Sequence, residues 1–170
     1  EIALSDDQIP TEVFGSPPLI GNVKISPSGE AEWRGKRFCC SIGKGGITKE
    51  KVEGDNKTPM GLFPLRKIFF RPDRVPRPIT ILPTTTLKPL DGWCSDPKDK
   101  KYNQFIKLPS NSEHERLWRS DSLYDLIGVI GHNDKSVVSG AGSAIFLHIA
   151  TNSYSPTRGC IALSKNDLSN

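Results

Sequence analysis

Cys160 and His148 are the two residues of this chain whose types and spacing best fit covalent chemistry. Cys160 ends the run Thr157-Arg158-Gly159-Cys160 and follows His148 by twelve residues. A thiol becomes a strong nucleophile as the thiolate, and a nearby imidazole can accept its proton. Gly159 lets the backbone bend sharply, so the N–H groups of Gly159 and Cys160 can approach a developing oxyanion. The pattern indicates acyl transfer by a cysteine.

The same thiol also has a purely structural interpretation. Cys160 precedes the apolar Ile161, and a buried free cysteine often serves as a small apolar residue. The polar residues Thr157 and Arg158 and the glycine before the thiol favour a turn at the surface instead. We therefore carry both interpretations forward and favour the catalytic one.

Two further histidines compete with His148 as the base. His132, in Gly131-His132-Asn133-Asp134, also follows an apolar run, but its polar neighbours indicate a turn. We rank it below His148 and expect it to line the cleft. His114 lies between two glutamates in a segment that predicts a helix, and we interpret it as a solvated surface residue.

Several other chemistries do not fit the sequence. The four cysteines form no CxxC pair, so a zinc site is not expected. The formal net charge is +4, and the basic residues are spread along the chain without a long run, so nucleic acid is not an expected partner. Neither a pair of carboxylates suited to glycoside hydrolysis nor a phosphate-binding loop stands out. No apolar stretch is long enough to span a membrane.

Composition predicts a mostly β domain with many loops. Only 35% of the 170 residues are apolar, and 15 glycines and 14 prolines punctuate the chain. Residues 1–18 are polar and proline-containing, so we expect a loose N-terminal arm there and one domain over residues 19–170. The chain starts with Glu1 rather than Met, from which we expect a processed chain whose signal peptide is not visible.

The predicted elements explain how the thiol and the imidazole would meet. Residues 19–25, 30–40 and 62–70 are typical of strands, residues 112–119 predict a helix with a capping box, and residues 123–130 and 143–150 predict buried central strands. His148 then lies near the end of a rigid strand, and the loop after it can fold back. Residues 160–163 would pair beside that strand and bring the thiol within hydrogen-bonding reach of the imidazole.

Three smaller expectations follow from the same reading of the chain. Cys39 and Cys40 are neighbours on one strand and should point to opposite faces. A disulfide from Cys94 to either of them and three unpaired thiols both remain open. Residues 71–92 should form an ordered loop, because apolar residues such as Ile79 and Ile81 need somewhere to pack.

Taken in order, the motifs resemble those of the YkuD-like family of L,D-transpeptidase catalytic domains, which are bacterial cell-wall enzymes. The resemblance covers roughly residues 20–168. The matching stretches are Glu53-Gly54-Asp55-Asn56-Lys57-Thr58-Pro59-Met60-Gly61, Gly92-Trp93-Cys94-Ser95-Asp96-Pro97, Tyr102-Asn103, Leu123-Tyr124-Asp125, Gly131-His132-Asn133-Asp134, Gly142-Ser143-Ala144-Ile145-Phe146-Leu147-His148 and Thr157-Arg158-Gly159-Cys160.

The resemblance implies a fold and a mechanism. The fold would be mostly β, a β-sandwich with a few short helices. Cys160 would be the nucleophile and His148 the general base, with its ring oriented by a backbone carbonyl that by position belongs to Ile149. Gly159 would contribute to the oxyanion hole. The reaction would attack the third residue of a tetrapeptide stem, release a terminal D-alanine and pass the acyl group through a thioester, without cofactor or metal.

The resemblance also implies a substrate, an oligomeric state and a cellular location. Peptidoglycan stem peptides would be the substrate, and the enzyme would act as a monomer in the periplasm or cell envelope, in cell-wall biogenesis and cell shape. A hydrolytic L,D-carboxypeptidase or endopeptidase, and a non-catalytic peptidoglycan-binding module, are the alternatives. Thr157, His132 and Ser143 are candidate substrate-binding residues.

Two departures from the family's usual motifs bear on substrate choice. Many members have His-Gly at the base and Ser-His-Gly-Cys at the nucleophile, where this chain has His148-Ile149 and Thr157-Arg158-Gly159-Cys160. Arg158 places a guanidinium beside the thiol, and its planar fork suits bidentate binding of a stem-peptide carboxylate. A solvated loop arginine is the alternative interpretation.

Overall fold

The structure is a computed structural model and describes residues 2–4 and 21–169. Most of the regular secondary structure within these residues is strand, and one short helix follows the last strand. In chain order they are β1 (Ile2–Leu4), β2 (Val23–Ile25), β3 (Glu30–Trp33), β4 (Lys36–Ser41), β5 (Ile47–Thr48), β6 (Thr58–Pro59), β7 (Leu62–Phe63), β8 (Leu65–Phe70), β9 (Thr84–Thr86), β10 (Asp91–Cys94), β11 (Phe105–Lys107), β12 (His114–Arg116), β13 (Leu126–Ile130), β14 (Phe146–Ile149), β15 (Ile161–Leu163) and α1 (Lys165–Ser169).

The described strands form one large sheet and two small ones. The large sheet has the order β7-β1-β2-β3-β4-β15-β14-β13-β8-β9. A second sheet has the order β11-β10-β12, and β5 pairs with β6. The mostly β fold predicted from composition is confirmed.

A tight turn joins β3 to β4 at Arg34 and Gly35. Both residues have positive φ, 50° and 74°, while Trp33 and Lys36 pair across the hairpin. Two residues of positive φ match the right-handed twist of the flanking strands, which is why glycine is favoured there. The single strand predicted for residues 30–40 is therefore a hairpin, and Cys39 is exposed while Cys40 is buried, as their alternation predicts.

Apolar side chains pack on both faces of the large sheet. Along β14, Phe146 belongs to a cluster with Trp93 of the small sheet, while Leu147 belongs to a second cluster with Ile25 and Ile161 on the opposite face. The β11-β10-β12 sheet thus covers one face of the central strands. This packing buries the region around β14 and β15, which makes it a rigid support for functional groups.

The helix predicted for residues 112–119 is wrong. His114, Glu115 and Arg116 form β12 and pair with β10. The two residues of the expected capping box have other partners: Ser112 donates a hydrogen bond to Asp99, and Glu115 accepts one from Tyr124. Tertiary pairing therefore outweighs a local capping signal that is a weak predictor by itself.

The remaining sequence predictions have mixed outcomes. Strands occur within most of the predicted segments, although β13 and β14 are shorter than expected. Leu87 is buried, but Ile79 and Ile81 are exposed, so the expectation that they pack is wrong. Cys94 is free and packs with Ile106 and Leu108, away from Cys40. Of the predicted N-terminal arm, residues 2–4 form β1, and the other residues of that arm lie outside those described. No helix in the described part of the chain is long and apolar enough to cross a membrane.

Candidate active site

The parallel pair β14 and β15 brings His148 and Cys160 to the same face of the large sheet. Leu147 pairs with Ile161 and His148 with Ala162, so Cys160 lies one step before β15 at the level of Phe146. Side chains alternate along a strand. Phe146 and Cys160 share one apolar cluster, and His148, two residues beyond Phe146, shares their face. The return of residues 160–163 beside the histidine strand is as predicted from the sequence.

The Cys160 thiol is held by two backbone groups. It donates a hydrogen bond to the Ala144 carbonyl over 3.2 Å, and its sulfur accepts one from the Phe146 N–H over 3.4 Å. Burial raises the pKa of the thiol to about 12, although the Phe146 N–H favours the thiolate. The resting group is therefore the neutral thiol, and deprotonation needs a base and further stabilisation of the anion.

The His148 ring is oriented by the carbonyl of the residue that follows it. Its Nδ1 lies 2.9 Å from the Ile149 carbonyl oxygen, the contact that the resemblance implies. Because a carbonyl oxygen can only accept, Nδ1 carries the proton and Nε2 of the neutral ring has the free lone pair. Burial lowers the pKa of His148, which keeps the ring neutral. The thiol in this state bonds to Ala144 instead of to His148.

A network of hydrogen bonds fixes the loop that precedes Cys160. The Thr157 N–H donates to the Ile42 carbonyl, and the Thr157 hydroxyl donates to the Cys160 carbonyl over 2.6 Å. The Gly159 N–H donates to Thr157 Oγ1 over 3.1 Å. Gly159 has φ of 137°, and a Cβ there would lie 2.8 Å from the Lys57 carbonyl oxygen. The glycine is thus required by both backbone conformation and space.

Ala144, whose carbonyl accepts the hydrogen bond from the Cys160 thiol, is itself held in an unusual conformation. Its φ is 52°, which is uncommon for a residue with a side chain. Asn103 fixes it, because Asn103 Oδ1 accepts from the Ala144 N–H over 3.0 Å and from Trp93 Nε1 over 2.9 Å. The Asn103 amide donates to the carbonyls of His132 and Asn133. One buried amide therefore ties three segments together next to the thiol.

Glu53 organises the other side of the Ala144 loop. Its Oε2 accepts a hydrogen bond from the Ser143 hydroxyl over 2.6 Å and another from the Tyr102 hydroxyl over 2.5 Å. Tyr102 in turn accepts the Gly142 N–H over 3.0 Å. These bonds hold residues 142–144 against the rest of the domain. In this state the Ser143 hydroxyl is directed to Glu53.

A cavity of about 880 Å³ opens over these groups. This is within the usual size range for binding sites of small molecules. Cys160, His148, Thr157, Arg158 and Ser143 all contribute to its lining. Its charged lining residues have both signs and are Lys44, Lys51, Glu53, Glu115, Arg119 and Arg158.

His132 lies behind the cavity lining rather than in it. It contacts the Phe63 ring edge-on, with ring centroids 5.3 Å apart, and its buried Nδ1 has no hydrogen-bond partner. A Cβ on Gly142 would approach its ring to 3.2 Å, so the ring packs closely against the backbone at Gly142. Burial lowers its pKa, with a further contribution from Lys51. The structure supports His148 over His132 as the group next to the thiol.

Sequence reasoning did not assign roles to four residues that complete the site. Asn103, Glu53, Tyr124 and Glu115 come from separate segments, and only the fold brings them to the thiol. Asn103, Glu53 and Tyr124 lie within the motifs on which the family resemblance rests. That membership is the sequence signal that could have identified them. No group of histidine, cysteine or carboxylate side chains suited to holding a metal ion occurs within the described ranges.

One of the comparisons with known proteins identifies a family for this chain. Neither curated proteins nor solved structures give a match. A family model described as the L,D-transpeptidase catalytic domain, YkuD, matches residues 26–169, a span that contains every residue of the site described above. The chain belongs to the YkuD family of L,D-transpeptidase catalytic domains.

Proposed function

We propose that this protein is a peptidoglycan L,D-transpeptidase that acts through a thioester on Cys160. Its family acts on peptidoglycan. The observation that carries the proposal is that the buried Cys160 thiol and His148 line the same cavity, and that the Ile149 carbonyl fixes His148 Nδ1. That hydrogen bond leaves Nε2 as the proton acceptor, which is the arrangement that cysteine acyl transfer needs.

The first half of the reaction forms the acyl-enzyme. His148 Nε2 takes the proton from Cys160 Sγ, and the sulfur attacks the carbonyl carbon of the third residue of a tetrapeptide stem. The C–N bond to the terminal D-alanine then breaks, and His148 returns the proton to the leaving amine. In the second half, an amine of another stem attacks the thioester carbonyl and His148 takes its proton. The C–S bond then breaks, His148 returns the proton to the Cys160 sulfur, and the new amide bond is the cross-link.

The oxyanion that forms in each half needs hydrogen-bond donors. The Cys160 N–H is the first donor that we propose, because it belongs to the residue that attacks. Gly159 is the second. Its N–H donates to Thr157 Oγ1 in the resting structure, so the incoming oxyanion must replace that hydroxyl as acceptor.

Arg158 is the residue that we propose for recognition of the stem peptide. It is exposed, and it lines the cavity beside the nucleophile. Its guanidinium can bind a stem carboxylate through two parallel hydrogen bonds. Thr157 and Ser143 line the same cavity and would contact substrate after giving up their present partners. Arg158→Ala should weaken substrate binding and leave the rate of the acylation step little changed.

We propose that the protein acts as a monomer in the periplasm or cell envelope, where its family's substrate, peptidoglycan, is found. We propose residues 19–170 as the catalytic domain. The reaction as written uses the thiol, the imidazole and backbone donors.

Intact-mass analysis with a purified disaccharide-tetrapeptide tests the function. Wild-type protein should gain an acyl adduct with loss of alanine and then yield cross-linked dimer, and Cys160→Ala should give neither. Release of tripeptide without dimer would favour a hydrolytic carboxypeptidase or endopeptidase. Binding of the substrate without adduct or turnover would contradict the proposal and favour a non-catalytic module.

A further inference from the structure

Tyr124 lies under the cavity in contact with the proposed catalytic groups. Only 7% of its surface is exposed, and it lines the cavity. Its ring meets the His148 ring edge-on, with centroids 5.2 Å apart and planes at 71°, and it also packs against Phe146. The Arg119 guanidinium lies over the ring, 5.0 Å from its centroid. The tyrosine is therefore held on several sides, and its hydroxyl has little freedom to leave the site.

Two groups near the Tyr124 hydroxyl can accept its hydrogen bond. The hydroxyl donates a hydrogen bond to Glu115 Oε1 over 3.1 Å. Tyr124 also packs in the same buried cluster as Cys160, and a hydrogen bond from its hydroxyl lowers the pKa of the thiol, against the larger effect of burial. A hydroxyl has one proton to donate, so it serves one of these acceptors at a time.

We propose that Tyr124 is a further catalytic residue, whose hydroxyl donates a hydrogen bond to the Cys160 thiolate, and that Glu115 is a positioning residue that holds this hydroxyl before the thiolate forms. The inference rests on the proposed function, because it assigns a role in generating the nucleophile. In the resting state the thiol donates to Ala144 and the hydroxyl to Glu115. When His148 Nε2 takes the proton from the sulfur, the Tyr124 O–H turns from Glu115 to the sulfur and keeps its own proton.

The need for such a donor follows from the burial of both reacting groups. Burial disfavours the thiolate of Cys160 and the imidazolium of His148, so the ion pair that attacks substrate is costly to form. The Phe146 N–H is the backbone donor to the sulfur. A second donor from Tyr124 would offset more of the cost, since hydrogen bonds to a charged acceptor are about twice as strong as neutral ones.

The charged groups around the thiol have opposite effects on it. The Glu115 carboxylate raises the pKa of Cys160, whereas Lys51 across the cavity lowers it. Arg119 lies 3.6 Å from Glu115 Oε1 and is anchored by Asp121, so the Glu115 side chain is held in place. The tyrosine and its partner should therefore affect the thiolate with opposite signs.

Because the two side chains should affect the Cys160 thiolate in opposite directions, the variants Tyr124→Phe and Glu115→Gln together test the inference. The readout is the rate of iodoacetamide alkylation of Cys160 between pH 6 and 10, followed by peptide mass so that Cys39 does not interfere. Removing the hydroxyl should slow alkylation by about tenfold at each pH of this range, because it raises the thiol pKa further. Removing the carboxylate charge should speed alkylation at each pH, because it lowers the thiol pKa. Tyr154→Phe is the matched control, because Tyr154 does not line the cavity.

Two results would overturn the inference. One is an alkylation rate of Tyr124→Phe within twofold of both wild type and Tyr154→Phe. The other is a change of rate in the same direction for Tyr124→Phe and Glu115→Gln, which is what general loosening of the site would produce. Thermal denaturation of each variant identifies loss of fold. The alkylation measurement needs no substrate, so it tests this inference separately from the proposed function. Absence of the acyl adduct in the intact-mass experiment would contradict the proposed function instead.

Discussion

Nδ1 of His148 lies 2.9 Å from the carbonyl oxygen of Ile149, the very next residue in the chain. The contact needs no second side chain, because the strand end itself supplies the acceptor. It fixes the tautomer with the proton on Nδ1, so that Nε2 is left as the base. A buried imidazole with a lowered pKa also remains unprotonated near neutral pH, the state that a base requires. The role that we propose for His148 therefore rests on a backbone geometry that fixes the orientation of the ring.

His148→Gln should reduce acyl-enzyme formation by about a hundredfold or more, because a positioned general base contributes that much to rate. Glutamine has similar length and can still bond to the Ile149 carbonyl, so the fold should persist. The measurement is the rate of acyl adduct formation by quenched intact mass, with Cys160→Ala as the zero reference. Activity within tenfold of wild type would show that another group takes the thiol proton.

Gly159→Ala should destabilise the fold by about 3 kcal/mol, since it combines an unfavourable positive φ with a close contact. The new Cβ would lie 2.8 Å from the Lys57 carbonyl oxygen, a backbone atom that cannot move aside cheaply. Any relief must shift Cys160, so acylation should fall as well. The free energy of unfolding by urea denaturation is the measurement.

Gly35→Ala is the matched control for that substitution. Gly35 also has positive φ, 74°, but an added Cβ there meets nothing within 4 Å. It should cost about 1 kcal/mol from backbone conformation alone and leave acylation unchanged. Equal losses for the two variants would remove the close contact with Lys57 from the explanation.

The sequence predicted the strand and the turn that carry the reacting pair, and it did so for a physical reason. A nearly continuous apolar run is a local signal, and two such runs placed His148 near the end of a central strand and Cys160 beside it. The helix expected at residues 112–119 failed because Glu115 and its neighbours pair with β10, a segment distant along the chain. Tyr124 and Glu115 received no role for the same reason: their link to Cys160 exists only after three separate segments have packed.

Asn103→Asp should lower the free energy of unfolding by at least about 2 kcal/mol. The substitution keeps an acceptor for Trp93 Nε1 and the Ala144 N–H but replaces the amide donor with a carboxylate oxygen. The carbonyls of His132 and Asn133 would lose their donor and face a negative charge in a buried position. Asn152→Asp, at an exposed turn, is the control and should change stability by less than about 0.5 kcal/mol. If urea denaturation gave similar losses for both variants, the bracing of Ala144 by Asn103 would not be a major source of stability.

Stability should fall as the pH drops below about 6.5, because burial lowers the pKa of both His132 and His148 below the ordinary value. In that range the two histidines bind protons in the unfolded chain but not in the folded chain, so lowering the pH favours unfolding. The contribution is fully present above pH 6.5 and is lost as the pH falls toward the folded-state pKa values. Each histidine adds a slope of at most about 1.4 kcal/mol per pH unit. Urea denaturation between pH 4.5 and 8 should show a shallower acid slope for His132→Leu and for His148→Gln, with pH 8 as the reference where both rings are neutral. An acid slope equal to that of wild type in both variants would assign the loss to other groups.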